Sequence, residues 1–356
     1  MRQTWVALEP LDTIAIRDGR AFDAGTHSQA RTVPPSPATT AGAIGAAYGA
    51  AAGAGRRDPA SRGRDLPERI HGPFVARREG AAWRTCWPLP RDIVQVGSVM
   101  MRLLPSPLND GESTDLGLPM VLSDDDAGGE PVEGWWGADE LGDYLSDGVV
   151  SADLEDFWDS PGHPGPWRSE RRVGLARTEE RTAAEGMLYA SQHLRLARDH
   201  ALVVRCLGGP DRELPRMVNL GGRGRRAQLI PATQVAFPQP VTDFPGGRLL
   251  LYLATPAVFP GGVWHPDLSR WPGTQLIAAA VGTPQVVTTA IPDRGAVGGG
   301  LLMWAVPAGS VYYLQFPNAQ AAAEAAEELL DNSLDQAEDW LRTAGFGFAL
   351  TGRWEA

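Results

Sequence analysis

The chain has 356 residues, 43% of them hydrophobic, with a formal net charge of −11. That length provides material for two domains of ordinary size with buried cores, so two are expected. The acidic balance excludes a protein that coats nucleic acid indiscriminately. It leaves room for a local site, because exposed charges more than about 8–10 Å apart are screened at physiological salt. All 32 basic residues are arginine. The planar donor fork of arginine suits phosphate and base recognition, although codon bias is the simpler account in an Ala- and Gly-rich chain. No apolar run reaches membrane-spanning length and no leader pattern opens the sequence, so a cytoplasmic protein is expected. Cys86 and Cys206 lie in apolar, strand-like runs without a partner motif and read as buried thiols.

Residues 5–8 and 13–16 read as short strands broken by Pro10, and Arg17-Asp-Gly-Arg-Ala-Phe22 as a turn. Ser36 is an N-cap with Pro37 at the first helical position, which predicts a helix to about residue 54. Gly42 and Gly45 weaken that helix by roughly 1 kcal/mol each relative to alanine. Small residues at that spacing allow close packing on a sheet or close approach of an RNA backbone, and packing is the expected use. Residues 74–77 and 83–87 predict a hairpin across Glu79-Gly80, stopped at Pro88-Leu-Pro-Arg-Asp92 by its prolines.

Residues 103–167 hold sixteen acids and no basic residue. This run reads as an insertion with one short helix at 138–145, partly disordered around 124–129. The charge then reverses. Residues 168–226 carry thirteen arginines against seven acids, about +6, and such a band faces an anionic partner or an acidic neighbour. Within it, 172–189 is polar and small, and reads as a long protruding loop. Its expected stem is a hairpin running through Leu194, Leu196 and Leu202 around Arg198-Asp199-His200. Gly221-Gly-Arg-Gly-Arg-Arg226 follows. Its backbone N–H groups and arginine forks suit a phosphate, but it lacks the Lys-Ser/Thr of a Walker loop.

A second unit begins near residue 248. Strands are expected at 249–254, 276–281, 285–289 and 311–316. Asn318 caps a helix over 319–330 whose glutamates face solvent, and a short helix follows at 340–343. A glycine-rich loop from Gly345 then feeds a final strand. The pattern predicts an α+β fold of two sheets with helices on one face.

Chemistry-bearing sets are missing from the sequence. There is no Gly-x-Ser-x-Gly and no His-x-x-x-His, so neither a nucleophile elbow, a metal nor a cofactor is expected. Asp124-Asp125-Asp126 is a solvated acidic turn. His27, beside Pro34-Pro35 in sequence, is the histidine best placed for acid–base work.

Taken in order, several motifs form a pattern. They are Pro10-Leu-Asp-Thr with Arg17-Asp-Gly-Arg, Pro34-Pro-Ser-Pro-Ala-Thr-Thr-Ala-Gly42, Gly72-Pro-Phe with Pro88-Leu-Pro-Arg-Asp92, and Arg172-Val-Gly-Leu to Thr182-Ala-Ala-Glu-Gly-Met-Leu-Tyr189. Leu220-Gly-Gly-Arg-Gly-Arg-Arg, Thr255-Pro-Ala-Val-Phe259, Pro307-Ala-Gly-Ser-Val-Tyr-Tyr313 and Gly345-Phe-Gly-Phe to Gly352-Arg-Trp354 complete it. Outside the acidic run, the chain resembles the Cmr3-type subunit of type III-B CRISPR effector complexes, a RAMP (repeat-associated mysterious protein) that grips the 5′ handle of crRNA.

The resemblance implies two ferredoxin-like (RRM-like) domains over 1–240 and 241–356, with a protruding thumb hairpin at 168–189. It implies no catalytic activity. Its implied partners are crRNA, the large polymerase/cyclase-like subunit and the first backbone subunit, with target RNA engaged only indirectly. On the thumb, Arg172, Arg177, Arg181 and Thr182 are the implied RNA contacts. Arg17, Arg20, His27, Ser36, Thr39, Thr40 and Gly42 join them in shaping the handle pocket, with Gly222, Arg223, Arg225 and Arg226 nearby. The closing glycine-rich loop 345–352 adds Gly345, Phe346, Gly347 and Gly352, with Phe22 and Phe346 as stacking candidates. The pattern departs from the family at Arg223, where an acid is usual, at Ala21 for proline, and at Gly298-Gly-Gly-Leu for a basic run. The equivalent type III-A subunit is the nearest rival. A metal-independent repeat-RNA endoribonuclease, using His27, Tyr48 or Tyr189, is the alternative from another class. The acidic run is expected to lie away from the RNA.

Overall fold

The computed structural model describes residues 2–16, 32–51, 66–111, 113–123, 129–159, 163, 165–179, 181–222, 224–290 and 300–355. Its first sheet is built on β1 (Gln3–Pro10), β2 (Arg69–Glu79) and β3 (Ala82–Pro88), with α1 (Pro37–Ala51) between β1 and β2. Two long strands, β4 (Trp167–Arg177) and β5 (Ala183–Leu196), come later, then β6 (His200–Leu207) and β7 (Arg226–Pro231). Across the sheet the order is β7-β1-β6-β2-β3, flanked by Met217–Asn219 outside β7 and Val235–Ala236 outside β3. The neighbours from β7 to β3 are all antiparallel.

Side chains alternate across this sheet as a pleat requires. Val6, Leu8, Val75, Leu202 and Val204 point to the outer face, where Ala43, Ile44, Ala47 and Tyr48 of α1 cover them. Ala7, Phe74, Ala76, Ala201 and Val203 point inward. Central β6 is covered on both faces, which is why it reads as a nearly continuous apolar run rather than an alternating one.

The inner face meets a second sheet. Its strands are β8 (Arg248–Leu253), β9 (Gln275–Ala280), β12 (Val311–Gln315) and β13 (Ala349–Arg353), in the order β9-β12-β8-β13, again antiparallel throughout. A separate hairpin, β10 (Gln285–Ala290) and β11 (Gly300–Ala305), lies between β9 and β12 in the chain. Leu250, Tyr252, Tyr313 and Phe348 share one core with the inward residues of the first sheet. Leu249, Leu251, Leu253, Tyr312 and Leu314 face the other way, onto α3 (Ala319–Leu329). As expected, Asn318 caps α3, its Oδ1 accepting from Ala321 N at 2.9 Å. The layers therefore run helix, sheet, sheet, helix. The seam holds His71, stacked on Phe348 at 4.4 Å. Burial, with Arg205 nearby, pulls its imidazole down to about 3 and keeps it neutral.

Three sequence expectations change. First, the acidic run is not a detachable excursion. Its helix α2 (Ala138–Asp147) puts Leu141, Tyr144 and Leu145 into the inter-sheet core beside Trp136, all at 1% exposure or less. Composition hid this, because four apolar anchors are outvoted by the surrounding acids. Several of those acids also have arginine partners. Glu140 and Glu155 pair with Arg84, and Asp147 with Arg353 at 2.6 Å. Residues 124–128 lie outside the described residues.

Second, the expected stem through 194–204 does not exist. β5 pairs with β4, not with β6, so the supposed loop is itself a hairpin and Asp199 (φ 59) turns the chain into the central strand. Third, 13–16 makes only a single bridge, Ile14 to Leu194, rather than a strand. The expected hairpin across Gly80 stands, with Glu79 opposite Ala82.

Candidate nucleic-acid interface

The β4–β5 hairpin is a sheet of its own. Eleven residues of β4 at about 3.3 Å each make it roughly 35 Å long. Pairing runs from Trp167–Leu196 to Leu175–Leu188, shifts register, and ends at Arg177–Ala183. The turn closes with Thr178 N donating to Thr182 O at 2.9 Å, and Arg181 takes a left-handed φ of 63°. Successive residues alternate faces, so Arg171, Val173 and Leu175 share one, with Val173 61% and Leu175 48% exposed. Arg168 lies over the Trp158 ring at 4.3 Å.

At its root the hairpin is fastened to residues 12–16. Ile14 N donates to Leu194 O at 2.8 Å, and Leu194 N to Ile14 O at 3.0 Å. Thr13 Oγ1 and His193 Nδ1 are 3.1 Å apart, with His193 2% exposed. The Asp12 carboxylate is the hub. It accepts from Arg172 Nη2 and Arg195 Nη2, each at 3.0 Å, and from Arg225 Nη1 at 2.8 Å. Glu170 pairs with both Arg195 and Arg172. Partial burial alone would raise the Asp12 carboxyl. Hydrogen bonds from Arg172, the Thr13 backbone and Arg195 outweigh that and hold it at about 2.

The glycine–arginine turn arrives at the same place. Leu220 N donates to Arg225 O at 2.9 Å, and Gly222 N to Ala15 O at 2.8 Å. Gly221 has φ +83, and a Cβ there would sit 2.9 Å from Ala15 O, so the close approach requires glycine. The lead-in to α1 converges as well, through Val33 N to Ile16 O at 3.0 Å and a hydrogen bond from Thr32 Oγ1 to Gln192 O.

The structure thus brings Arg172, Gly222 and Arg225 together, with Arg226 exposed on β7 beside them. Arg172 is engaged by Asp12 through one Nη, so the carboxylate holds the side chain in place at the hairpin root. Arg177, Arg181 and Thr182 are exposed at the tip. Arg171, Arg177 and Arg181 make no ion pair with a described residue. Arg17, Arg20, Phe22, His27 and Arg223 lie outside the described residues.

Ser36 directly precedes α1, its Oγ 3.3 Å from Thr39 Oγ1. Thr40 is fully buried and donates to Pro37 O at 3.0 Å, so its hydroxyl serves the helix rather than a ligand. Gly42 is exposed with nothing within 4 Å of a would-be Cβ. Packing on the sheet is therefore not its reason for being glycine.

The closing glycines occupy the seam between the sheets. A Cβ on Gly345 (φ +102) would meet Ile70 O at 2.7 Å, and one on Gly352 would meet Leu145 O at 2.7 Å. Gly347 is filled against by Gln336. Phe346 is fully buried with Val258, Leu341 and Ala305, and presents no face to a base. A glycine-rich, aromatic string looks the same in sequence whether it meets a phosphate or a neighbouring backbone.

Sequence reasoning missed Asp12 and Arg195. The available signal was a lone acid in Pro10-Leu-Asp-Thr, in a segment that ends at an arginine-rich turn. Nothing local says that three distant arginines close on it.

Fold and site together define an α+β protein in which two helix-backed antiparallel sheets carry a basic hairpin. A family model of CRISPR-associated proteins (Cas_Cmr3) matches residues 6–354. The chain belongs to that family, and it is a subunit of a type III-B CRISPR effector complex. No curated protein matches it. Solved structures that are similar include a cryo-EM structure of the Type III-B Cmr-beta bound to cognate target RNA, 16% identical over 87% of this chain and 86% of that chain, with a TM-score of 0.46. A second, of Cmr-beta bound to cognate target RNA and AMPPnP in state 1, is 16% identical over the same shares with a TM-score of 0.45.

Proposed function

We propose that this subunit is a non-catalytic RNA grip that holds the 5′ handle of crRNA. In this reading it bridges the large polymerase/cyclase-like subunit to the first backbone subunit in antiviral defence. The observation that carries it is the convergence on Asp12. One carboxylate gathers the hairpin root (Arg172, Arg195) and the glycine–arginine turn (Arg225), so that Arg171, Arg177 and Arg181, without an ion pair among the described residues, project from a fixed base. Single-stranded RNA is gripped by such cation tracks and exposed side chains on splayed nucleotides.

Both sheets support a ferredoxin-like reading, with units over 1–240 and 241–356. Taking β1, β2, β6 and β7 as first to fourth, the order is fourth-first-third-second, and β8, β9, β12 and β13 repeat it. The nuclease alternative loses one candidate. Tyr48 is 3% exposed, and burial raises its hydroxyl pKa further from the range where it could exchange a proton.

The test is the Arg171→Ala, Arg177→Ala, Arg181→Ala triple variant in the assembled complex. The slope of crRNA affinity against salt should flatten by about 0.7 per lost phosphate contact on a single strand. Stability should move by less than about 0.5 kcal/mol, since these arginines are exposed. An unchanged slope with normal assembly would sink the proposal.

A further inference from the structure

Asp12 is the single acid on which the arginines of the hairpin root and of the glycine–arginine turn converge. Arg172, Arg195 and Arg225 come from three separate parts of the chain, and each turns an Nη toward the same carboxylate at 2.8–3.0 Å. The site is open to water: the side chains of Arg172, Arg195 and Asp12 are 38%, 41% and 42% exposed, and that of Arg225 23%. Single ion pairs of this exposure contribute little to fold stability, and a network of one acid with three arginines contributes somewhat more. Stabilisation alone does not account for the arginine donors that the acid leaves open. Several donors stay uncommitted: Arg172 Nη1, Arg195 Nη1 and Arg225 Nη2 have no partner among the described residues, and Arg225 Nε is buried without one.

We propose that Asp12 is a positioning residue for RNA, an internal anion that fixes the arginine basin before RNA arrives. This rests on the RNA-grip reading above. By pairing one Nη of each arginine, Asp12 holds the uncommitted Arg172 Nη1, Arg195 Nη1 and Arg225 Nη2 as a preset fork for a backbone phosphate. The same contacts fix the angle at which the β4–β5 hairpin leaves the sheet, because Asp12 is followed by the two residues that bond His193 and Leu194. Asp12 also limits the net positive charge of the basin, with Glu170 as the second acid facing it. Without these acids the basin would hold any polyanion. With them, only a strand that follows the preset geometry gains the contacts, which is specificity by exclusion of poor fits.

Asp12→Asn, which keeps the shape and loses the charge, tests this in the assembled complex. Two readouts are required: the salt slope of crRNA binding, and the affinity ratio between the cognate handle and a scrambled handle of equal length. The slope should steepen by up to about 0.7, because released arginine charge takes up one further phosphate. The ratio should fall several-fold, chiefly because scrambled RNA binds better. Asp12→Glu, which restores the charge, should return the slope to wild type.

Hydrogen exchange at the Leu194 and Gly222 amides, with β6 as an internal reference for folding, separates a purely structural role. Faster exchange with unchanged slope and ratio would overturn the proposal, as would no change in any readout. If the triple arginine variant flattens the slope while Asp12→Asn leaves it alone, this inference fails and the RNA grip stands. If neither variant alters it, the grip itself fails.

Discussion

The two sheets share a strand order and differ in what is attached to it. In the first, α1 follows the first strand and covers the outer face, while the connection from β6 to β7 has no helix and runs through the short strand Met217–Asn219 into the glycine–arginine turn. In the second the arrangement is reversed. The first connection, from β8 to β9, contains only the 3-10 turn Pro260–Gly262, and α3 follows the third strand. Each sheet thus keeps one crossover helix of a possible two, and the two sheets keep different ones.

Both also carry an extra hairpin between the second and third strands, β4–β5 in one and β10–β11 in the other. The first is arginine-rich and fastened through Asp12. The described residues of the second include no charged side chain. Val287 and Ala305 are buried, while Val286, Leu302 and Trp304 are 37%, 54% and 59% exposed. The sheets are held to a common order because both faces of each must be covered. The hairpins lie outside that constraint, so their chemistry can diverge.

The comparison breaks most sharply where the units are joined. Asp92, fully buried after β3, accepts from Tyr144 of α2 at 2.6 Å, from Tyr313 of β12 at 2.5 Å and from Arg102 Nε at 3.2 Å. One carboxylate thus ties the first sheet, the acidic run and the second sheet. Asp92→Ala strands a guanidinium whose side chain is only 7% exposed, and should cost about 3–5 kcal/mol in chemical denaturation. Independent melting of two units would show that the seam, rather than either sheet, was lost. A loss under about 1 kcal/mol would mean that the acidic run is an ornament after all.

A smaller effect separates two glycines of the matched motifs by sign. Gly345→Ala forces a left-handed position against two carbonyls of β2 and should destabilise by about 1–3 kcal/mol. Gly42→Ala on the open face of α1 should stabilise by about 1 kcal/mol in the same melts. If Gly42→Ala also weakens crRNA binding, the open glycine marks close approach of the RNA backbone. Equal signs for the two variants would remove the distinction between them.

The smallest effects compare the faces of the second hairpin. Val287→Ala should cost about 1–2 kcal/mol from lost burial, whereas Trp304→Ala should stay within about 0.5 kcal/mol. A large loss at Trp304 would mean that this face is covered within the chain.

Much of this was readable in advance. Pro37 opening α1, Asn318 capping α3, the Gly80 hairpin and the strands of the second sheet follow from local rules of capping, turn geometry and apolar runs. The charge reversal near residue 168 pointed to the basic hairpin, and the ordered motifs to the family. Other features depended on contacts between residues far apart in sequence. Leu202 and Val204 could be given to a stem or to a central strand, and only pairing with β1 and β2 assigned them to the sheet. Tyr144 and Leu141 looked like strays in an acidic run until the second sheet closed over them. Asp12 reads as one acid among many because its partners lie between 160 and 213 positions away. Local sequence determines which backbone shapes are cheap. Which carboxylate meets which arginine, and which glycine meets a backbone rather than open solvent, is settled by long-range packing, since burial depends on what the rest of the chain places above each residue.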